Sequence, residues 1–217
     1  MTDLRRRLLA EFIGTAFLLA GVIGSGIMAT NLTTDVGLQL LANAAVTVGV
    51  LYVIIVIFAP LSGAHFNPAV TIADAWQGNR PWSDVGPYIA TQIAGGAVGV
   101  ILANLMFELD AVEWSTKARD GYGQYIGEAV ATFGLVLLIF LLVRGGRDQL
   151  AAGAVAAYIG GAYWFTSSTS FANPAVTLAR TMSDTFAGID PTSAPAFVGM
   201  QLIGMALAVG AARVLYP

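Results

Sequence analysis

The sequence predicts an all-α membrane protein: a bundle of six transmembrane helices and two half-helices, arranged as an inverted internal repeat. The 217 residues are 57% hydrophobic and 11% charged, whereas a soluble domain carries about 25% charged residues. A second observation is that long stretches lack Asp, Glu, Lys and Arg. A third is that the sequence Asn-Pro-Ala occurs once in each half of the chain. These three observations together predict the fold class.

The spans can be placed in order, since each needs roughly 20 predominantly apolar residues. The first span is 8–30, and the basic cluster before it is also typical of a signal peptide. No small-residue cleavage site with a polar region after it follows, so we expect this segment to remain as a helix. The other spans lie in the apolar stretches 36–73, 85–107, 121–143, 149–179 and 191–212.

Two of these stretches, 36–73 and 149–179, are too long for one helix, because they contain 38 and 31 residues. Each contains Asn-Pro-Ala-Val-Thr near its end. Asn is a favoured N-cap, and Pro suits the first helical position because it needs no amide partner there. Each stretch therefore predicts a span, a return of the chain, and a half-helix of roughly 11 residues that begins at Asn67 or Asn173.

The chain consists of two related halves, about 5–110 and 120–217, within one transmembrane domain that covers 1–217. The two Asn-Pro-Ala motifs are 106 residues apart, and the pair Glu11 and Thr15 recurs as Glu128 and Thr132. Three spans per half are an odd number, so the second half enters the membrane in the opposite sense. Such inverted repeats with interrupted helices are known to build a pathway at the bilayer midplane.

The basic residues predict the orientation of the bundle. With both termini in the cytoplasm, seven basic residues lie inside and three lie outside, as the positive-inside rule requires. The inside set is Arg5, Arg6, Arg7, Arg80, Arg144, Arg147 and Arg213, and the outside set is Lys117, Arg119 and Arg180. We therefore expect a multi-pass protein of the cell membrane.

Composition also excludes several functions. The chain has no Cys and one His, so thiolate and histidine metal sites are excluded, and we expect no metal and no cofactor. A formal charge of −3 gives no reason to expect nucleic acid. The sequence contains no nucleophile–base pair, phosphate loop or paired catalytic carboxylates, so we predict no catalytic residues.

Glu11 and Glu128 are the acidic residues deep in the spans. A carboxylate inside a membrane usually indicates a functional role. We favour a bracing role over proton transfer: each accepts hydrogen bonds from a loop backbone and holds a half-helix in place. The N-termini of two half-helices that meet would repel cations. The Asn67 and Asn173 amides, held as caps, can donate hydrogen bonds to a passing neutral molecule.

Smaller signals accompany these. Gly95 and Gly204 occupy equivalent positions in the repeat and predict close helix crossings. Tyr163 and Trp164 are expected as interface or packing aromatics.

The sequence resembles the aquaporin and aquaglyceroporin (major intrinsic protein) family over essentially its whole length. The resemblance rests on "SGAHFNPAVT" at 62–71, "NPAVT" at 173–177, the two Glu–Thr pairs and the inverted halves. It implies an aquaporin-like bundle with a pore in each protomer, a homotetramer in the lipid bilayer, and no enzymatic activity. The implied pore motifs are Asn67, Pro68 and Ala69, and Asn173, Pro174 and Ala175.

The resemblance also implies a selectivity filter at four positions: Thr47, Gly161, Ser170 and Val176. Water-selective members usually have an aromatic residue, a His, a small residue and an Arg at these positions, and glycerol-conducting members have aromatics, a Gly and the Arg. This chain has neither an aromatic residue nor an Arg there. His65 matches the family's inner-vestibule His and is expected to line the pore; simple packing is the alternative.

Because Val176 replaces the filter Arg, we expect a wide filter. A few bacterial aquaglyceroporins associated with arsenic detoxification have a similar Val, and the chain resembles that group. We therefore expect a passive channel for small uncharged solutes and water, including glycerol-type polyols, arsenite and methylated arsenicals. The alternatives are a water-selective pore, an ion-coupled secondary transporter, and a structural membrane protein with a closed pore.

Arg180 lies four residues beyond Val176, on the same helix face. We favour the interpretation that it pairs with Asp184 or faces solvent. The alternative is that it reaches back to the outer mouth of the pore and supplies positive charge there.

Overall fold

A computed structural model describes residues 3–216, and this part of the chain contains eight α-helices, two short 3-10 segments and no strand. The all-α class is therefore confirmed. The six long helices are α1 (Leu4–Leu32), α2 (Val36–Ser62), α4 (Trp82–Met106), α5 (Tyr122–Arg144), α6 (Ala151–Phe165) and α8 (Ala194–Leu215). The two short helices are α3 (Pro68–Trp76) and α7 (Pro174–Ala179).

Five of the long helices, all except α6, are long and apolar enough to cross a membrane. The helix α6 has 15 residues, and at 1.5 Å per residue it is about 22 Å long. This is shorter than the hydrocarbon core of about 30 Å, so the fifth span is shorter than the sequence predicts. The reason is that the chain leaves the helix at Thr166 to form the loop before α7.

The short helices begin where the sequence predicts. The Oδ1 atom of Asn67 accepts a hydrogen bond from the Ala69 N–H at 2.9 Å, and Asn173 Oδ1 accepts one from Ala175 at 3.0 Å. Both helices are shorter than the predicted length, with nine residues in α3 and six in α7. Helix α7 tightens into a 3-10 turn at Arg180, and α3 ends just before Gly78, whose φ of +83° lies in the left-handed region.

Two pairs of long helices pack with their backbones in contact, α1 on α4 and α5 on α8. A Cβ atom placed on Gly95 in α4 would lie 2.4 Å from the Phe12 carbonyl oxygen in α1. A Cβ atom on Gly204 in α8 would lie 2.2 Å from the Ala129 carbonyl oxygen in α5. These close crossings occur at matching places in the two halves and hold each half together.

Contacts place both chain ends at the same end of the bundle. Arg7 forms an ion pair of 2.8 Å with Asp84 at the start of α4, and Arg213 near the end of α8 donates to the Trp76 carbonyl at 3.0 Å. We call this the terminal end. The opposite end, formed by the connections 33–35, 107–121 and 183–193, is called the distal end.

Candidate functional site

A cavity of about 380 Å³ lies between the two halves and receives side chains from both. Seven of the residues that the sequence assigns to the pore or its mouth line it: Thr47, His65, Asn67, Ser170, Asn173, Val176 and Arg180. The motif residues Pro68, Ala69, Pro174 and Ala175 are buried but do not line the cavity. The inverted repeat therefore brings its two most distinctive segments to one shared cavity.

The two motif asparagines connect the halves. Asn67 Nδ2 donates to the Ala172 carbonyl at 2.8 Å, and Asn173 Nδ2 donates to the Phe66 carbonyl at 2.7 Å. Each Asn thus caps its own short helix with Oδ1 and binds the loop of the other half with Nδ2. An amide nitrogen carries two hydrogens, so one N–H of each Asn stays available to a solute.

The loops before the short helices have an unusual backbone. Ala64 and Phe66 in the first half and Ser170 and Ala172 in the second have φ angles of 51°, 49°, 52° and 50°. Non-glycine residues in the left-handed region cost about 1–2 kcal/mol each. Conformations of this kind persist only when the surrounding structure holds them, so each loop needs a strong local partner.

Buried glutamates provide that partner in each half. Glu11 accepts hydrogen bonds from the His65 and Phe66 N–H groups at 3.0 and 2.6 Å. Glu128 accepts them from the Phe171 and Ala172 N–H groups at 2.8 and 2.9 Å. Both carboxylates are fully buried. This is the arrangement that a bracing role requires.

The region around Val176 combines one apolar and several hydroxyl groups. Thr47 Oγ1 donates to the Asn43 carbonyl at 2.8 Å and lies 3.1 Å from the hydroxyl of Tyr163. Because the Thr47 hydrogen is used for the carbonyl, the Tyr163 hydroxyl is the donor of the second bond. The Ser170 hydroxyl has no partner among the described residues. Val176, Thr47, Tyr163 and Ser170 all line the cavity.

Gly161 does not lie in the filter, where the resemblance places it, since it is exposed and does not line the cavity. Its neighbours Ile159 and Tyr163 do line it. They are one helical turn apart on the same face of α6, and Gly161, midway between them in sequence, lies on the opposite face. An aromatic hydroxyl therefore occupies a wall for which the sequence predicts a glycine. The helical spacing of Ile159 and Tyr163 is the signal that could have found it.

Arg180 lies in the wall of the distal end of the cavity. It is 2% exposed, its guanidinium carbon lies 3.4 Å from the centroid of the Phe171 ring, and its Nε donates to the Ala187 carbonyl. It does not pair with Asp184, which accepts from the Thr116 N–H at 2.9 Å. The interpretation that Arg180 pairs with Asp184 or faces solvent is therefore wrong.

Arg119 is a second distal cation, one that the sequence assigned to the outside with no further role. It is 7% exposed, and its guanidinium carbon lies 5.0 Å from the Phe171 ring centroid. Burial lowers its pKa to about 10, so it stays charged at neutral pH. Partial burial beside the Phe186 ring, together with the charges of Arg119 and Arg180, lowers the pKa of Lys117 to about 8. Nothing in the spacing of these residues predicts their convergence.

The terminal end of the cavity has its own polar group. His65 Nδ1 lies 3.1 Å from Thr71 Oγ1, and its Nε2 lies 3.5 Å from Asp74 Oδ2. Asp74 also pairs with Arg80 at 3.2 Å, and Arg80 stacks on the Tyr88 ring. His65, Asp74 and Arg80 line the cavity, so His65 takes part in a polar cluster there.

Comparison with known proteins decides the family. The model of the family described as "Major intrinsic protein" matches residues 1–167. The chain is 47% identical to aquaglyceroporin AqpS of Rhizobium meliloti (strain 1021) over 211 residues, which cover 97% of this chain and 90% of that protein. The chain belongs to the major intrinsic protein family.

Further relatives agree with this assignment. The chain is 32% identical to the glycerol uptake facilitator protein of Streptococcus pneumoniae (strain ATCC BAA-255 / R6), over 70% of this chain and 73% of that protein. The aquaglyceroporin of Plasmodium falciparum has the same fold, with a TM-score of 0.74 and 19% identity, over 99% of this chain and 98% of that one. This major intrinsic protein is therefore a membrane channel for small solutes, and it is not an enzyme.

Proposed function

We propose that this channel conducts small uncharged solutes passively through a filter without arginine. The expected solutes are glycerol-type polyols and metalloid species such as arsenite and methylated arsenicals, together with water. The name of the R. meliloti relative, an aquaglyceroporin, supports the broad solute class.

The observation that carries the proposal is the position of Val176. Its side chain lines the cavity three residues after Asn173, where the family keeps an Arg, and it contributes no hydrogen-bond donor. The nearby Thr47, Tyr163 and Ser170 hydroxyls offer donors and acceptors to a polyhydroxylated solute. Hydroxyl groups without a fixed charge in the filter favour neutral solutes larger than water.

Tyr163 extends the proposal beyond the four filter positions expected from the sequence. Its hydroxyl hydrogen bonds with Thr47 across the boundary between α6 and α2. We infer that the working filter is Thr47, Tyr163, Ser170 and Val176, with Tyr163 in the place expected for Gly161.

A strictly water-selective channel is disfavoured, because no guanidinium occupies the Val176 position in the filter.

An ion-coupled transporter needs a carboxylate free to bind an ion or proton. Among the described residues, the deep carboxylates Glu11 and Glu128 are each held by at least three donors. Asp74, which lines the cavity, is paired with Arg80.

The expected setting is the cell membrane, with the terminal end in the cytoplasm and the distal end outside. The distribution of seven basic residues at the terminal end against three at the distal end supports this orientation. We further propose a homotetramer with one pore per protomer, as is general in the family.

The decisive experiment measures the flux of water, glycerol, arsenite and methylarsenate in proteoliposomes by stopped-flow swelling and by solute uptake. The variants are Val176→Arg and, as a control for size without charge, Val176→Leu. Arg should narrow the filter and reduce glycerol permeability about ten-fold relative to that of water. Val176→Leu should have a smaller effect.

Three results would contradict the proposal. Equal losses for every solute in Val176→Arg would exclude Val176 as part of the filter. Saturable uptake that depends on an ion gradient would favour the transporter. No flux of any solute through the wild type would favour a closed structural protein.

A further inference from the structure

The distal end holds two buried guanidinium groups, those of Arg119 and Arg180, around one aromatic ring. They are 7% and 2% exposed, and both lie over Phe171. A buried charge is costly unless it is paired. Partly buried arginines elsewhere in the described residues are paired, since Arg7 pairs with Asp84 and Arg80 with Asp74.

The distal pair has no such partner. Within residues 3–216 no carboxylate lies within 4.0 Å of either guanidinium. The Arg119 guanidinium donates only to the Gly188 and Ser168 carbonyls, at 2.9 and 3.4 Å from Nε and Nη1. The Arg180 guanidinium donates only from Nε, to the Ala187 carbonyl. All of these acceptors are neutral.

The buried acid Glu128 does not compensate for this charge by contact. Glu128 acts on both guanidiniums through the electrostatic field. However, its oxygens are occupied by the Phe171 and Ala172 N–H groups and by Gln201 Nε2. The two cations therefore keep unused donors, and Arg180 presents its own to the cavity.

We propose that Arg180 and Arg119, with Lys117 at the rim, form a binding site for one small tetrahedral oxoanion, such as sulfate or phosphate, at the distal mouth of the channel. A guanidinium offers planar, paired N–H groups that match the geometry of such oxygens. The bound anion would lie beside Phe171, before a solute reaches Val176. It would therefore obstruct the path of glycerol and repel a second anion.

The site is not part of a generally basic surface. The distal connections together with Arg180 carry more acidic than basic residues, with Asp35, Glu108, Asp110, Glu113, Asp120, Asp184 and Asp190 against Lys117, Arg119 and Arg180. Exposed charges are screened over about 8–10 Å at moderate salt, whereas buried ones are screened much less. Anion binding must therefore come from the buried guanidiniums, and it should survive moderate concentrations of sodium chloride.

The flux test rests on the passive channel function proposed above. Glycerol entry is measured in proteoliposomes with sodium sulfate on both sides and compared with sodium chloride at equal ionic strength and osmolality. Sulfate should slow glycerol entry through the wild type. Because a charge-assisted hydrogen bond is lost with each guanidinium, Arg180→Gln and Arg119→Gln should each raise the half-blocking sulfate concentration about ten-fold.

A second measurement does not depend on flux. Sulfate should raise the thermal unfolding temperature of the purified wild-type protein in detergent and have less effect on the two Gln variants. Arg180→Lys keeps the positive charge but lacks the planar guanidinium with its paired N–H groups. The rise in its unfolding temperature with sulfate should lie between those of the wild type and the Gln variants, and this comparison holds even if a Gln variant folds poorly. The matched control is Arg147→Gln, in an exposed turn at the terminal end, which should respond to sulfate like the wild type.

The outcomes separate the two proposals. Glycerol flux that sulfate does not affect, with no thermal shift, overturns the anion site and leaves the channel function intact. An equal half-blocking concentration in the wild type and both Gln variants also overturns it. No glycerol flux in chloride refutes the channel function alone, since the thermal shift still tests the anion site.

Discussion

Replacing Glu128 with Gln tests whether this carboxylate holds the second half-helix. Glu128 Oε1 accepts from the Phe171 N–H, and Oε2 accepts from the Ala172 N–H and from Gln201 Nε2. All three partners are donors. An amide has only one acceptor oxygen, so its NH₂ group must replace Oε1 or Oε2 and face a donor.

The best placement of the new amide puts NH₂ at the Oε1 position and loses one bond. The Phe171 N–H is then buried without an acceptor, which costs about 1–3 kcal/mol. The other two bonds change from charge-assisted to neutral and each weaken by about 1 kcal/mol. We therefore expect Glu128→Gln to lower the free energy of unfolding by about 3–5 kcal/mol.

Glu11→Gln gives a matched comparison in the first half. Glu11 Oε1 accepts from Ser62 Oγ and the His65 N–H, and Oε2 accepts from the Phe66 N–H and from Gln92 Nε2. With the amide NH₂ at the Oε1 position, the Ser62 hydroxyl can rotate to accept from it, so only the His65 N–H loses its acceptor. The loss should therefore be similar to that of Glu128→Gln, about 3–5 kcal/mol.

The assay is reversible unfolding by increasing SDS in mixed micelles, followed by helical circular dichroism, with glycerol flux as a second readout. Asp110→Asn, which neutralises an exposed carboxylate at the distal end, should stay within about 0.5 kcal/mol of the wild type. The bracing argument fails if Glu128→Gln matches that control in stability and in flux.

Two further predictions concern packing and charge. Gly204→Ala forces a Cβ atom to within 2.2 Å of the Ala129 carbonyl and should cost about 1–3 kcal/mol in the same assay. A Cβ atom added at Gly210 on the same helix has no neighbouring atom within 4 Å, so Gly210→Ala should be neutral or stabilising by up to about 1 kcal/mol. Similar losses of stability in both variants would contradict the close-crossing explanation. The half-blocking sulfate concentration should be about two- to five-fold higher at pH 8.5 than at pH 7. The reason is that Lys117, whose pKa is about 8, loses its charge between these two pH values. The charged residues beside it are Arg119, Arg180 and Asp184. Lys117→Gln should reduce this pH dependence, and an unchanged dependence would exclude Lys117 from the rim of the site.

Local chemistry made part of this structure predictable. The starts of α3 and α7 follow from Asn-Pro alone, because capping and a proline at the first helical position act over a few residues. The halves were visible because the repeat preserves Asn67 and Asn173. These features need no knowledge of how the helices pack.

Other features depend on helix rotation and on contacts between distant segments. Gly161 was placed by its distance from Asn173, but the face that α6 turns to the cavity depends on the length and path of the loop 166–172. The structure therefore has Tyr163, and not Gly161, among the residues that line the cavity. Arg119 reaches its acceptors, the Ser168 and Gly188 carbonyls, across 49 and 69 residues of sequence, and no local pattern encodes such contacts.

The crossed hydrogen bonds of the two asparagines also have a consequence for biosynthesis. The chain is made from its N-terminus, so the Phe66 carbonyl and Asn67 Nδ2 enter the membrane before Ala172 and Asn173 exist. Until then neither group has its native partner, and each such unpaired buried group costs about 1–3 kcal/mol. The first half-helix therefore lacks both of these bonds until the second half is made. The hydrogen bonding at the centre of the channel is complete only after the second half of the newly made chain has joined the first.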